Sequence, residues 1–410
     1  MIYQTHTLKN GIRLVHKVVS NGVAHCALMI NTGSRDEHKE EQGLTHFIEH
    51  TIFKGTKRRK SFHILSRLEN IGGEINAYTT KEEICVYASF LPKYYDRTLE
   101  LFADISLNST FPSHEIEKEK DVIIDEINSY KDNPFEEIYD EIEDLVFEGH
   151  SLGRNILGTE KLVKGFTKKD IQSFIKDKFN TDETVLCSVG NFDFKNYIKL
   201  CEKYFGDVKS NSRNFIREPF TLYKAKNITQ PKGLHQAHCI IANKAYSSLD
   251  SKRTALTLLN NVLGGPGLNT RLNMGIREKY GFCYNIESNY SPLSDTGIIT
   301  IYLGTDFSSL GRTLQLTHKE LDKLKTKKLG SLQLHRAKQQ LIGQIAISQE
   351  SNVNELLSMG KSILTYNKIE TIDIINKEIE DVTSEQLISI AQEIFDKEQL
   401  SILTYKGTDN

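Results

Sequence analysis

The chain opens on alternation. TLKNGIRLVHKVV and VAHCALMINTG set apolar side chains at near-alternate positions around Asn-Gly turns, the pattern of paired β-strands. The period then lengthens to that of a helix at about 41–54, around HFIEH. A second helix fits SFHILSRLENIG, with Ser61 as N-cap and Gly72 as stop. GGEINAYTTKEEICVYASFLP alternates like a strand pair, and helices are expected near 94–108 and 113–131. Two more helical stretches and a strand, ETVLCSVGNFD, close the first half. From about 208 to 232 the chain turns polar and carries Pro219 and Pro231, which predicts a linker.

Beyond it the order repeats. HCIIANKAYS is a strand, SKRTALTLLNNVLGG a helix ending in glycines, and YNIESNYSPLSDTGIITIYLGTD a strand pair. SSLGRTLQLTHKELDKLKT and SLQLHRAKQQLIGQIAISQE are helices, and LSILTYKG is a late strand. HFIEH then meets ALTLLNNVLGG, and the 113–131 helix meets LQLHRAKQQLIGQI. The expectation is a diverged duplication of one α+β unit. Domains are set at 1–210 and 233–410, joined by a linker at 211–232. The second copy has no histidine or glutamate where the first carries them.

At 410 residues and 38% hydrophobic, the chain is long enough for two cores. Its charged residues reach 26% yet its net charge is only -2, which disfavours nucleic-acid or anionic-membrane partners. The basic run KGTKRRK at 54–60 reads as a solvated turn. Cys26, Cys85, Cys187, Cys201, Cys239 and Cys283 lie far apart, several of them in apolar runs. They read as small buried hydrophobes in a reducing compartment. There is no signal layout at the start and no run of membrane-spanning length, so a soluble cytoplasmic protein is expected.

HFIEH carries the candidate chemistry. His46 and His50 are about 40° apart on a helix face, so both imidazoles can reach one ion. Glu49 lies beside them, where it can touch a metal-held water without being a ligand. The order HxxEH reverses the familiar zinc-peptidase helix. Two histidines alone favour an ordinary packed helix, and it is the glutamate beside them that turns the reading toward a metal. Zinc needs a third ligand. On the 114–131 helix, Glu119 and Glu126 fall about 20° apart, inside an arc that also holds Ile116, Val122, Ile123 and Ile127. Carboxylates on a dry face cost free energy unless paired or metal-bound. A buried salt bridge is the other reading.

NTGSRDE followed by GLTHFIEHTIFKGT resembles the insulinase/pitrilysin metallopeptidases, the inverzincins, nearly end to end. The chain is most similar to their short two-domain branch, which includes bacterial proteins like the mitochondrial processing peptidase. The resemblance implies two homologous α/β-sandwich domains forming half of a clam-shaped assembly. It implies a zinc ion held by His46, His50 and Glu126, with Glu49 as general base and Glu119 supporting the ligands. Glu126 lies 76 residues past His50, and Glu119 seven before Glu126.

Asn76 and Ala77, in GGEINAYTTKEE, fall where the family takes substrate as an added β-strand. Arg277 and Tyr284, in LNTRLNMGIREKYGFCYNIES, match a pair that contacts peptide near the scissile bond from the opposite half of the clam. One chain is one half, so a homodimer is implied, with a heterodimer with a related subunit as the other arrangement. GHSLGRNILGTEKLV is similar to a further family segment without a clear chemical role, and Pro266 departs from the family's plainer glycine loop. The implied activity is endopeptidase cleavage of short unfolded peptides. The alternatives are a catalytically silent partner subunit and an unrelated protein with a closed structural metal.

Overall fold

The computed structural model describes residues 3–407. It falls into two compact units. The first gathers the chain up to Ser129, Arg154–Arg217 and Ile347–Glu370. The second gathers Tyr130–Gly153, Glu218–Ala346 and the chain from Thr371 on. The expected boundaries at 1–210 and 233–410 are contiguous, whereas each unit takes a stretch from the opposite half of the chain.

The first unit's sheet holds β1 (Tyr3–Thr7), β2 (Arg13–Val18), β3 (Ala24–Ile30), β4 (Glu74–Thr79), β5 (Ile84–Phe90) and β6 (Thr184–Gly190). Their order is β1-β2-β6-β3-β5-β4, with β2 and β6 parallel and every other neighbour antiparallel. Its helices are α1 (Leu44–Thr51), α2 (Ser61–Glu69), α3 (Tyr95–Leu107) and most of α4 (Ser113–Lys131). The second unit contributes α5 (Pro134–Val146) next in the chain. The first unit continues with α6 (Glu160–Gly165), α7 (Lys168–Lys178) and α8 (Phe194–Phe205).

The second unit's sheet holds β7 (Asn227–Lys232), β8 (Ala237–Ala245), β9 (Cys283–Pro292), β10 (Gly297–Thr305) and β11 (Ser401–Gly407). Its order, β7-β11-β8-β10-β9, repeats β2-β6-β3-β5-β4, including the parallel pair at one side. The duplication is therefore written into the topology. Around it lie α9 (Arg253–Gly264), α10 (Leu310–Thr326) and α11 (Ser331–Gln349, whose last turn belongs to the first unit). α12 (Asn352–Tyr366) belongs to the first unit, while α13 (Ile372–Asp381) and α14 (Ser384–Ile394) complete the second. β7 lies inside the stretch read as linker. It is an edge strand, where the missing N–H of Pro231 leaves the ladder intact on one side.

β3 and β6 are buried along their whole length because both faces are covered. Cys26, Leu28 and Val86 face α3 and α8 through Phe102, Tyr197 and Phe205. Ala27, Met29, Cys85 and Cys187 face α12 through Leu356, Met359 and Ile363. In the second unit α5 plays the same part, with Ile138, Ile142 and Val146 against Ile240, Ile298 and Leu403. All six cysteines are buried and free.

α12 sits close to its sheet at Gly360. A Cβ there would meet the sulfurs of Met29 and Cys187, both fully buried. Gly360→Val is expected to cost about 1–3 kcal/mol through overpacking. A urea or thermal midpoint close to the parent's would mean that helix and sheet stand further apart than described.

Candidate metal centre

α1 is eight residues long and follows Gly43, whose φ of 96° is left-handed. Glycine is needed there twice over, since the backbone of Gly158 stands 2.7 Å from where a Cβ would be. Leu44, Phe47 and Ile48 bury against Ile116, Ile123 and Ile127 of α4 and Phe174 of α7. That packing turns positions 46 and 50, one helical turn apart, toward α4. Glu119 lies on the buried face of α4, as its phase predicts, and Glu126 is half-buried two turns on. Val122, placed by the same wheel at the margin of the apolar arc, is 49% exposed, so the buried stripe is narrower than expected.

His46, His50 and Glu126 come together, each offering an atom within 4.8 Å of the others. Glu126 Oε2 is 3.7 Å from His46 Nε2 and 3.5 Å from His50 Nε2. The imidazole centroids are 4.6 Å apart, inclined at 64°. Ligands held tetrahedrally at zinc distances stand about 3.4 Å from one another. The 3.7 Å separation is too long for a hydrogen bond and the 3.5 Å one lies at its outer limit, and both are close to such an edge. Two imidazoles and one carboxylate are a set that zinc accepts, with a fourth position left for water. The residues present thus fit the ion.

Glu119 is not in the ligand triangle. Its Oε2 stands 3.3 Å from His50 Nδ1, and its Oε1 takes the ammonium of Lys54 at 2.6 Å. Glu119 therefore orients the His50 ring from behind, so that Nε2 faces Glu126. His46 Nδ1 is buried and meets no acceptor among the described residues.

Three carboxylates, Glu49, Glu119 and Glu126, act on the His50 ring. Burial pushes His50 down, but hydrogen bonds to Glu119 and Glu126 and the charges of Glu126 and Glu49 outweigh it and raise the ring to about 9. Burial and the charge of His50 drive His46 down to about 4, against the pull of Glu126. Glu126 is held below the usual carboxylate range, first by the hydrogen bond from His50. Glu119 is also lowered: burial opposes this, and His50 and Lys54 overcome it. At neutral pH the metal-free site carries a proton on His50, which a metal must displace.

Glu49 is half-buried beside this triangle. Burial raises its pKa, opposed by the Thr79 hydroxyl and His50 and reinforced by Glu126. A carboxylate tuned toward neutrality suits a general base. Thr79 ends β4, which pairs among the described residues with β5 alone and leaves its other edge open. On β4, Asn76 is exposed and Ala77 half-buried.

Arg277 and Tyr284 belong to the second unit. Arg277 lies exposed on a π-helical turn, Asn273–Glu278, with Nη1 donating to Asn273 Oδ1 at 3.4 Å. Tyr284 is 66% exposed on the edge strand β9.

The basic run at 54–60 is not simply solvated, because two of its basic residues are engaged. Lys54 holds Glu119, and Arg59 clamps Asp104 at 2.5 Å and Glu100 at 2.8 Å. Lys54 was within reach of the sequence: it stands four residues past His50, on the same helical phase.

A family model described as insulinase (peptidase family M16) matches residues 15–160. One described as peptidase M16 inactive domain matches residues 165–341. The uncharacterized zinc protease YmxG of Bacillus subtilis is 33% identical over 405 residues, 98% of each chain. An uncharacterized zinc protease of Rickettsia felis is 33% identical over 390 residues, covering 95% of this chain and 94% of that one. In fold, the chain matches a protease from Helicobacter pylori at TM-score 0.91 and 21% identity, over 99% of both chains. A Pseudomonas fluorescens structure described as a peptidase M16 inactive domain matches at TM-score 0.92 and 19% identity, over 100% of this chain and 98% of that one. The chain belongs to the insulinase family, peptidase family M16, and is a zinc-dependent metallopeptidase.

Proposed function

We propose that the protein is a zinc endopeptidase acting on short unfolded peptides, working in the cytoplasm as a homodimer with two active sites. The observation that carries the reading is the triangle of His46, His50 and Glu126 with Glu49 beside it and the open edge of β4 next to both. Zinc, when bound, supplies Lewis acidity, acidifying water at the site and polarising a peptide carbonyl. Glu49 takes a proton from the attacking water as its oxygen bonds to the carbonyl carbon. As the carbon–nitrogen bond breaks, Glu49 returns that proton to the leaving amine. Glu119, anchored by Lys54, keeps His50 in one tautomer and orientation. β4, through Asn76 and Ala77, pairs with the main chain of an extended substrate, which explains a preference for unfolded peptides over folded ones.

Each copy lends Arg277 and Tyr284 to the zinc site of the other. Arg277 holds the peptide, and the Tyr284 hydroxyl donates to the oxyanion. Support for this division comes from the exposure of both side chains and from the full-length match to relatives of the same size.

The test is cleavage of a quenched mixed-peptide library by the parent and by dimers assembled from two defective chains. Glu49→Gln and Tyr284→Phe are each expected to be impaired alone. Mixed dimers isolated through two affinity tags hold one intact site of two, so they recover about half the parent's activity. A parent that cleaves nothing sinks the peptidase reading. Mixed dimers no better than the separate variants, or no dimers at all, sink the shared site.

A further inference from the structure

The loop before α1 carries a buried carboxylate that the mechanism does not use. Glu37 is 4% exposed. Its Oε2 accepts the Gly43 N–H at 2.9 Å, and its Oε1 accepts both the Thr45 N–H at 2.7 Å and the Thr45 hydroxyl at 2.5 Å. N–H groups at the start of a helix have no partner within it. The N-cap of α1 is Gly43, which has no side chain to satisfy them. Glu37 caps the helix from six residues upstream of Gly43, with its carboxyl group at the positive end of the helix dipole. Burial, helped by the charge of Glu41, raises its carboxyl to about 8 despite the pull of Thr45 and Gly43. Its hydrogen bonds, three donors and no acceptor among the described residues, work against that rise.

The loop itself is bolted on both sides. Asp36 receives Arg217 through Nε at 2.9 Å and Nη2 at 2.8 Å, and Arg35 pairs with Glu82 at 2.6 Å. Ser34 and Arg35 donate backbone N–H groups to the carbonyls of Thr80 and Lys81, just past β4. On the other side, Arg154 Nη1 donates to the Glu37 carbonyl at 2.8 Å and Gln42 Nε2 to the Asn155 carbonyl at 3.3 Å. Arg154 and Asn155, in the stretch RNILG, thereby have a physical task, to hold the entry to α1.

Resting on the zinc-centre reading, we propose that Glu37 is a positioning residue for the metal. It fixes the first turn of α1 against the frame that carries β4, and so sets where His46, one residue past Thr45, stands relative to Glu126. The side chain touches neither ligand, and it acts only through the placement of the helix.

The test is metal affinity, read by chelator competition with zinc and by the absorption bands of bound cobalt. Glu37→Gln keeps the shape, but it turns an amide N–H toward other N–H donors. It is expected to weaken zinc about 10- to 100-fold and to shift the cobalt bands. Gly360→Val, which strains the same unit at a distance, should lower the unfolding midpoint and leave affinity and bands unchanged. If Glu37→Gln does not fold, Thr45→Val removes a single donor and should weaken zinc about 3- to 10-fold. A folded Glu37→Gln protein with the parent's affinity and cobalt spectrum overturns the proposal, and so does an unchanged Thr45→Val protein. A parent that binds no zinc overturns the metal-centre reading instead.

Discussion

Glu49→Gln keeps its zinc and loses peptide cleavage, with kcat lowered about 10²- to 10⁴-fold. The substitution preserves volume, and the site can absorb it, because Glu49 is not one of the three groups whose ligand atoms converge. What it removes is the capacity to accept and return a proton. Burial and the neighbouring Glu126 raise the carboxyl of Glu49, which brings it nearer to the pH at which it must cycle between two states. An amide has no such cycle. Zinc content measured beside initial rates separates the two roles. A variant with most of the parent's activity would remove Glu49 from the reaction, whereas one that had lost its zinc would make Glu49 part of the metal's support.

His50→Ala loses both. His50 is the one imidazole that meets two carboxylates, Glu126 at 3.5 Å and Glu119 at 3.3 Å. Without it the remaining ligands are His46 and Glu126, one short of the three protein ligands that a catalytic zinc requires. Loss of an outer partner already costs about 10- to 100-fold in affinity, and a direct ligand should cost more. Glu126→Ala should behave alike, because Glu126 is the point where the two rings converge. Metal content after dialysis and the rate at fixed free zinc are the readouts. Stoichiometric zinc at the parent's affinity in His50→Ala would remove it from the ligand set.

The convergence of His46, His50 and Glu126 was legible because its signals are local. Two histidines four apart, and two carboxylates seven apart in phase with Ile116, Ile123 and Ile127, follow from the period of a helix alone. The repeated strand order was legible for a similar reason, since alternation survives divergence. Glu37 was not legible. It caps α1 across a loop whose path depends on Arg217, far along the chain, and no spacing rule encodes that. Val122 marks the limit of the wheel itself, which gives phase but not the width of the covering surface. β7 was missed because proline and polarity dominate its sequence, which only an edge position tolerates.

The placement of α12 has a consequence for synthesis of the chain. β2, β3 and β6 are complete by residue 190, yet the helix that covers Met29, Cys85 and Cys187 begins only at Asn352. A ribosome adding about 5–20 residues per second needs on the order of ten to thirty seconds to bridge that gap. Throughout that interval the face of the first sheet that carries Met29, Cys85 and Cys187 has no α12 to cover it. The gene cannot be cut at the linker into two self-sufficient halves. Each half alone would lack one helix of its own wall, and a cell making this protein must shelter the first half until the last quarter arrives.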